Sequence, residues 1–303
     1  MNTFASSVFE RTLTTGIDGE MVNNSNFSFV AAGDFGCNSN ARNTVRNMKA
    51  LDPNLVIALG DLSYEPSSSC WLDMMSPLEK QSNVKISLGY HDIFDGDSNL
   101  LQSYMKHFGL QNQFYSFDFR KIHFLAMATE IDYAKGSEQY KFVLDNLQSA
   151  SQDSNIRWII VYSFRPFYTS PTVHPGPAAL RDVYHDIFDQ YGVDLVLQAH
   201  VHNYQRTYPI VFNAEHRSDP LVTDYNTTDF VGKQKGPIFI TIGTAGEEFH
   251  PLYNQGPFVV QQLLKHGFLH VSISENGSKL IGSFYDNNGV EPADQFSVKK
   301  VMR

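Results

Sequence analysis

What this chain has little of narrows its function before any motif is read. Only two cysteines, Cys37 and Cys70, occur in 303 residues; that excludes the disulfide framework of a small secreted scaffold and leaves room for one bridge at most. Long apolar runs are missing, since no stretch approaches the roughly 20 residues that cross a bilayer. The opening MNTFASSVFERTLTTG lacks a basic stretch followed by an apolar core, the mark of a secretion signal. The chain as written therefore reads as soluble and untargeted, with its compartment unassigned. Runs of Lys and Arg are missing too: 23 basic side chains stand against 32 acidic ones, a formal charge of −9. Proteins that grip a phosphate backbone carry a concentrated basic footprint, so nucleic acid is not the expected partner. An anionic substrate would need a local source of positive charge, and metal ions are the obvious one.

What is present is the composition of an ordinary folded globule, 42% hydrophobic and 18% charged, with no repeat, low-complexity tract or linker that would divide a core. Residues 1–26 are polar and rich in Asn, Ser and Thr, and read as a loosely attached lead-in. Residues 27–303 read as one domain. FSFVAAGDFG and NLVIALGD are buried strands that each finish in Gly-Asp. Between them Asn40 to Leu51 has Val45 and Met48 at helical spacing, and Asp52-Pro53 stops it. Further strands are expected in VKISLG, FYSFDFRKIHFLAMAT, IRWIIVYSF, VDLVLQAHVH and PIFITIGTAG, with helices over Ser137–Ser151 and Pro177–Tyr191. FLHVSIS and KLIGSFYD form a hairpin across Glu275-Asn276-Gly277. The pattern is α/β with mixed sheets.

Polar residues able to bind metal collect where these strands finish, which is where open α/β sheets place their ligand crevice. Asp34 follows FVAAG, Asp61 follows VIALG with Tyr64 three residues on, His91-Asp92 follow ISLGY, and His200 and His202 follow LVLQA. Carboxylates, a phenol and imidazoles form a mixed oxygen and nitrogen set suited to iron, zinc or manganese. Singly, each of these features is as well explained by a turn or a hydrogen-bonded core histidine. Their joint placement is not.

In order, GDFG, GDLSY, GYHD, VYSF and AHVH resemble the five motif blocks of the purple acid phosphatases within the calcineurin-like metallophosphoesterases, which read GDxG, GDxxY, GNH[DE], VxxH and GHxH. VHNYQRTYPI and GTAGEE extend the resemblance over about residues 27–290. It implies an α/β fold, a metallophosphoesterase-type β-sandwich of mixed sheets flanked by helices on both faces, with a two-metal site at the strand ends. By position, Asp34, Tyr64 and His202 match the ligands of a first ion, usually iron, Asp61 the bridging carboxylate, and His200 a ligand of a second divalent ion (Zn, Mn or Fe). His91 matches the histidine that contacts phosphate or the leaving group. His174 lies where relatives carry a substrate-facing histidine.

Three positions depart from the pattern: Tyr90 stands for the Asn of the third block, Phe164 for the His of the fourth, and Ala199 for the first Gly of the fifth. Two of these would be ligands of the second ion. Phe164 cannot bind a metal, and its ring is expected in the space an imidazole and part of an ion would fill. For Tyr90 three roles stay open: pointing away, hydrogen-bonding substrate, or acting as a second phenolate ligand. The methyl of Ala199 costs little at negative φ and more at positive φ. Cys37 and Cys70, each just past a ligand-bearing strand, are either bridged or two free thiols. The resulting expectation is a phosphomonoester hydrolase of acid phosphatase type with an intact first metal site and an altered second one, slow or inactive, acting on a small phosphate ester. The rivals are a non-catalytic or altered binding protein of the same fold, and redirected chemistry at a single iron.

Overall fold

The near-continuous apolar runs FSFVAA, LVIAL, IHFLAM and WIIVYS become interior strands of two sheets, buried on both faces as their composition requires. The computed structural model describes residues 27–93, 99–232 and 235–300. The polar lead-in expected over 1–26 lies outside the described residues. In chain order the elements are β1 (Phe27–Ala32), α1 (Ser39–Ala50), β2 (Leu55–Leu59), α2 (Ser69–Glu79), β3 (Asn83–Ser87), α3 (Tyr90–Ile93), α4 (Leu100–His107), β4 (Tyr115–Phe119) and β5 (Ile122–Met127). There follow α5 (Glu138–Gln152), β6 (Trp158–Ser163), α6 (Ala178–Tyr191), β7 (Leu195–Gln198), β8 (Tyr204–Val211), β9 (Leu221–Val222) and β10 (Asp229–Val231). The last are β11 (Ile238–Ile242), β12 (Val259–Leu263), β13 (Gly267–Ser274), β14 (Lys279–Asp286) and β15 (Asp294–Lys299).

One sheet has the order β10-β15-β14-β13-β1-β2-β3, with β1, β2 and β3 parallel and β13 antiparallel to β1. The other runs β12-β8-β11-β7-β6-β5-β4, with β5, β6, β7 and β11 parallel, and β9 pairs on β8. The two sheets face each other. Phe27 and Phe29, two residues apart and so on one face of β1, meet Phe119 (ring centroids 4.9 Å) and Phe124 (5.4 Å) of the opposite sheet. A second apolar layer lies between the other sheet and helices α5 and α6, where Val143 and Leu147 join Tyr184 and Phe188 over Leu125 and Val161. α1 and α2 cover the first sheet, so the fold is a β-sandwich of mixed sheets with helices on both faces.

Local chemistry sets the helix ends. In α1 the Asn38 side chain accepts from the Ala41 N–H, and the buried residues Ala41, Thr44, Val45 and Met48 fall on one face at i, i+3, i+4 and i+7. Gly192, left-handed at φ 72°, ends α6. The segment after β2 turns helical at Ser69, where α2 begins, a helix the apolar pattern does not signal. Serines, Trp71 and an internal Pro77 hide the helical period there.

Candidate functional site

Parallel strands β1, β2 and β3 of one sheet and β7 of the other end toward one crevice. Three residues just past these ends, Asp34 (φ 57°), Asp61 (φ 45°) and His200 (φ 68°), occupy the left-handed region, at a cost of about 1–2 kcal/mol each. Such strain survives only where the surroundings dictate it, and it concentrates at functional sites. The surroundings here are close-packed. A Cβ on Gly33 would lie 2.6 Å from the Cβ of Ala199, and one on Gly89 would lie 2.3 Å from Oδ1 of Asp61. Ala199 itself is buried and lacks a positive φ; that conformation falls on His200 instead.

Each carboxylate is held by one oxygen and turned inward with the other. The His200 N–H donates to Oδ2 of Asp34 (2.9 Å), and the His91 N–H to Oδ1 of Asp61 (2.8 Å). Oδ1 of Asp34 and Oδ2 of Asp61 both accept from the Tyr64 hydroxyl, at 3.2 and 3.3 Å. His202 completes the group with Nε2 3.1 Å from the Tyr64 oxygen and 3.3 Å from Oδ1 of Asp34. Its other ring nitrogen donates to the Glu248 carbonyl (2.6 Å), the outer hydrogen bond that orients a metal-ligating imidazole. Ions that bind such donors at 2.0–2.2 Å hold neighbouring ones about 3 Å apart, so these four side chains fit a single ion. Among the described residues no group of three His, Cys, Asp or Glu side chains would hold an ion alone. The Tyr64 phenol is what links Asp34, Asp61 and His202.

The electrostatics agree. Burial pushes Asp61 well above the usual carboxylate range, with Asp34 and Asp92 adding to it, and the His91 N–H only partly offsets them. Burial, then Asp34 and Asp61, push the Tyr64 phenol well above its ordinary value. On His202 burial opposes the charged form, but the Asp34 carboxylate, the Glu248 carbonyl and the Glu247 charge together outweigh it and raise the imidazole. The crevice thus carries more negative charge than its hydrogen bonds neutralise, the condition a multivalent cation relieves.

The other predicted residues are placed as follows. The His91 ring packs against Tyr64 (4.3 Å between centroids), with Nε2 3.9 Å from Oδ2 of Asp61 and about a third of its side chain exposed (31%). Asp92 does not face the crevice. It is fully buried and accepts from the Leu62 and Gly89 N–H groups, while burial raises it to about 7. His174 is exposed, its ring 5.6 Å from that of His200 and 4.5 Å from that of His250. Tyr90 opens α3, partly exposed, with its ring edge-on to His91. Phe164 is fully buried, its ring 4.9 Å from that of His200. Gly60 (φ 91°) makes room for it, because a Cβ there would lie 2.9 Å from Cδ2 of Phe164. Cys37 and Cys70 are bridged, tying the loop after β1 to the first turn of α2.

Sequence reasoning missed three side chains. His250 stacks flat on His202 (3.9 Å, 10°) and accepts the His202 N–H at 3.2 Å. Arg165, next to Phe164, donates through Nε and Nη2 to the two oxygens of Glu130 (2.5 and 3.0 Å), and its Nη1 lies 3.4 Å from Nε2 of His200. Glu130 is the third. A lone Arg at the end of an apolar strand was the available signal; His250 and Glu130 offered none. Around Arg165, burial lowers His200 to about 4; the Asp34 charge opposes it, and the Arg165, His174 and His202 charges add to it.

The calcineurin-like phosphoesterase family model matches residues 27–204. Among curated proteins, purple acid phosphatase 23 of Arabidopsis thaliana is 27% identical over 252 residues, 71% of this chain and 51% of its own length. A relative from the same plant named probable inactive purple acid phosphatase 24 is 23% identical, over 86% of this chain and 45% of its own. The chain spans about half the length of the curated relatives it matches. Of solved structures, purple acid phosphatase PPD1 from yellow lupin seeds has a TM-score of 0.77 at 20% identity, over 91% of this chain and 54% of that one. GAP50, described as the anchor in the inner membrane complex of Plasmodium, has a TM-score of 0.68 at 14% identity, over 92% and 90% of the two chains. Among the described residues of this chain, no helix is long and apolar enough to cross a membrane.

Proposed function

The chain belongs to the calcineurin-like phosphoesterase family, and from that premise we propose that it hydrolyses small phosphomonoesters with a single iron held by Asp34, Asp61, Tyr64 and His202. What supports this reading is the four-donor cluster, in which Asp34, Asp61 and His202 lie 3.1–3.3 Å from one phenolic oxygen and His202 lies 3.3 Å from Asp34. When bound there, the ion supplies Lewis acidity to a phosphoryl oxygen and to the attacking water. The rest falls to the chain. Backbone N–H groups of His91 and His200 lock the two carboxylates, so that little reorganisation is needed when substrate binds. His91, beside Tyr64 and partly open to solvent, is placed to hydrogen-bond a phosphoryl oxygen or to hand a proton to the departing alcohol.

The test is elemental analysis of protein purified without added metal, beside hydrolysis of an aryl phosphate. One iron per chain and measurable turnover are expected. His91→Gln should lower turnover by about 100-fold or more with iron content unchanged. A second reading, ligand binding without turnover, is favoured by Phe164 standing where the motif has an imidazole. An iron-loaded chain that hydrolyses no phosphate ester supports that reading instead.

A further inference from the structure

The second half of the crevice does not fit an ion. Phe164 contributes a buried ring without a donor, and His200 is already engaged by Arg165 at 3.4 Å. A guanidinium has donors only, so Nε2 of His200 accepts and the ring proton sits on Nδ1. A neutral imidazole has one lone-pair nitrogen, and this one serves Arg165. The guanidinium is fixed in turn: Nε and Nη2 lie against the Glu130 carboxylate, buried to 6% exposure, which leaves the Nη1 edge turned toward His200. Of the two groups that would hold a second ion, His200 is in direct contact with this arginine, and the charge of Asp61 favours the guanidinium from further off.

Resting on the phosphoesterase reading, we infer that the Arg165 guanidinium takes the place of the second ion, occupying His200 and presenting a fixed positive edge to the substrate's phosphoryl oxygens beside the Asp34, Asp61, Tyr64 and His202 cluster. An arginine suits this part of the task, because its N–H groups match phosphoryl oxygens in direction as well as charge. It cannot act as a Lewis acid toward water, so activation of the nucleophile rests on the first site alone. Refitting the missing ligands is then insufficient. Tyr90→Asn with Phe164→His supplies an amide and an imidazole but leaves His200 capped and a cation in place.

Two measurements test this. The first is binding of inorganic phosphate to the iron-loaded chain by calorimetry. Arg165→Met should weaken it about 10- to 100-fold, the range for loss of a charged hydrogen bond, with iron content unchanged and with Arg165→Lys intermediate. Arg165→Met/Glu130→Gln, which leaves no orphaned buried carboxylate, covers the case in which the single variant fails to fold. The second is metal counting: Tyr90→Asn/Phe164→His should stay at one ion, and adding Arg165→Ser should bring it to two. Phosphate affinity and turnover untouched in the Arg165 variants would overturn the inference and leave the phosphoesterase reading standing. So would a second ion in the parent or in Tyr90→Asn/Phe164→His. An iron-loaded parent that neither binds phosphate nor hydrolyses an ester would sink both.

Discussion

Tyr64 contributes one oxygen to the crevice, and donors from three other residues lie within 3.3 Å of it. Burial and two carboxylates keep its proton on in the absence of a cation, so a bound ion would have to drive its loss. Tyr64→Phe preserves the ring that packs against His91 and deletes only the linking oxygen. The variant is expected to fold, to hold well under one iron per chain by elemental analysis, and to lack the visible charge-transfer band that a ferric phenolate at Tyr64 would give the parent. A band that survives would move the phenolate elsewhere, with Tyr90 the next candidate.

At the scale of elements, two attachments lend themselves to measurement. The Cys37–Cys70 bridge closes a separation of 33 residues between the loop after β1 and the start of α2, a segment that contains Asp61 and Tyr64. Chain entropy alone assigns such a loop about 3–4 kcal/mol. Replacing both cysteines with serine should lower stability by up to that amount in urea titration and weaken iron binding, since Asp34 and Tyr64 then sit on separately held loops. The second attachment is His185 of α6, fully buried, with Nδ1 accepting from the Tyr168 hydroxyl (2.7 Å) and Nε2 donating to the Ile210 carbonyl of β8 (3.2 Å). Burial pulls its pKa down from 6.5 to about 3, so the folded chain keeps the ring neutral while the unfolded chain protonates it below 6.5. The stability it contributes is full above pH 6.5 and drains as pH falls toward 3, reaching a loss of about 2 kcal/mol by pH 5. Neighbouring Asp189, raised by burial to about 7, works in the opposite sense, losing its contribution as pH rises from 3.8 through 7. Between pH 6.5 and 4 the two contributions oppose each other, so His185→Gln, which removes only the first, should show a melting temperature that rises relative to the parent's as pH falls through this window.

For the molecule as a whole, the sheets are joined by charge as well as by aromatic packing. Arg206 of β8, 1% exposed, donates through Nε and Nη2 to Asp294 at the start of β15 (2.6 and 2.8 Å), and the Tyr204 hydroxyl donates to the same carboxylate (2.8 Å). Among the described residues Nη1 of Arg206 has no hydrogen-bond acceptor, but the guanidinium lies 5.0 Å from the Phe296 ring centroid. A buried pair of this kind adds little over an apolar pair of equal volume, whereas removing one partner strands the other charge. Asp294→Ala should cost about 3–5 kcal/mol by denaturant titration, and Arg206→Met/Asp294→Leu should recover most of it. A single variant within 1 kcal/mol of the parent would show that water reaches the stranded guanidinium.

The sequence determined by itself what depends on neighbours along the chain: which runs are strands, where α1 and α6 stop, and which side chains past the strand ends bear metal-binding groups. Apolar continuity, helical spacing and turn chemistry are local, and the motif blocks that carry Asp34, Asp61, Tyr64 and His202 are short. It missed α2 and α4, whose periods are blurred by serines and Pro77 in one and by brevity in the other. Only the tertiary structure decided that β13 pairs with β1, Phe27 facing Ile273. The same holds for the placement of Arg165 between Glu130 and His200, each 35 residues away, and of His250 on His202, 48 away. It also decided that the left-handed backbone falls on His200 rather than on Ala199. These are consequences of two sheets packing face to face: when β6 and β7 close against β1 and β2, side chains and turns must share one small volume, and which guanidinium meets which imidazole is fixed by that packing, not by distance along the chain.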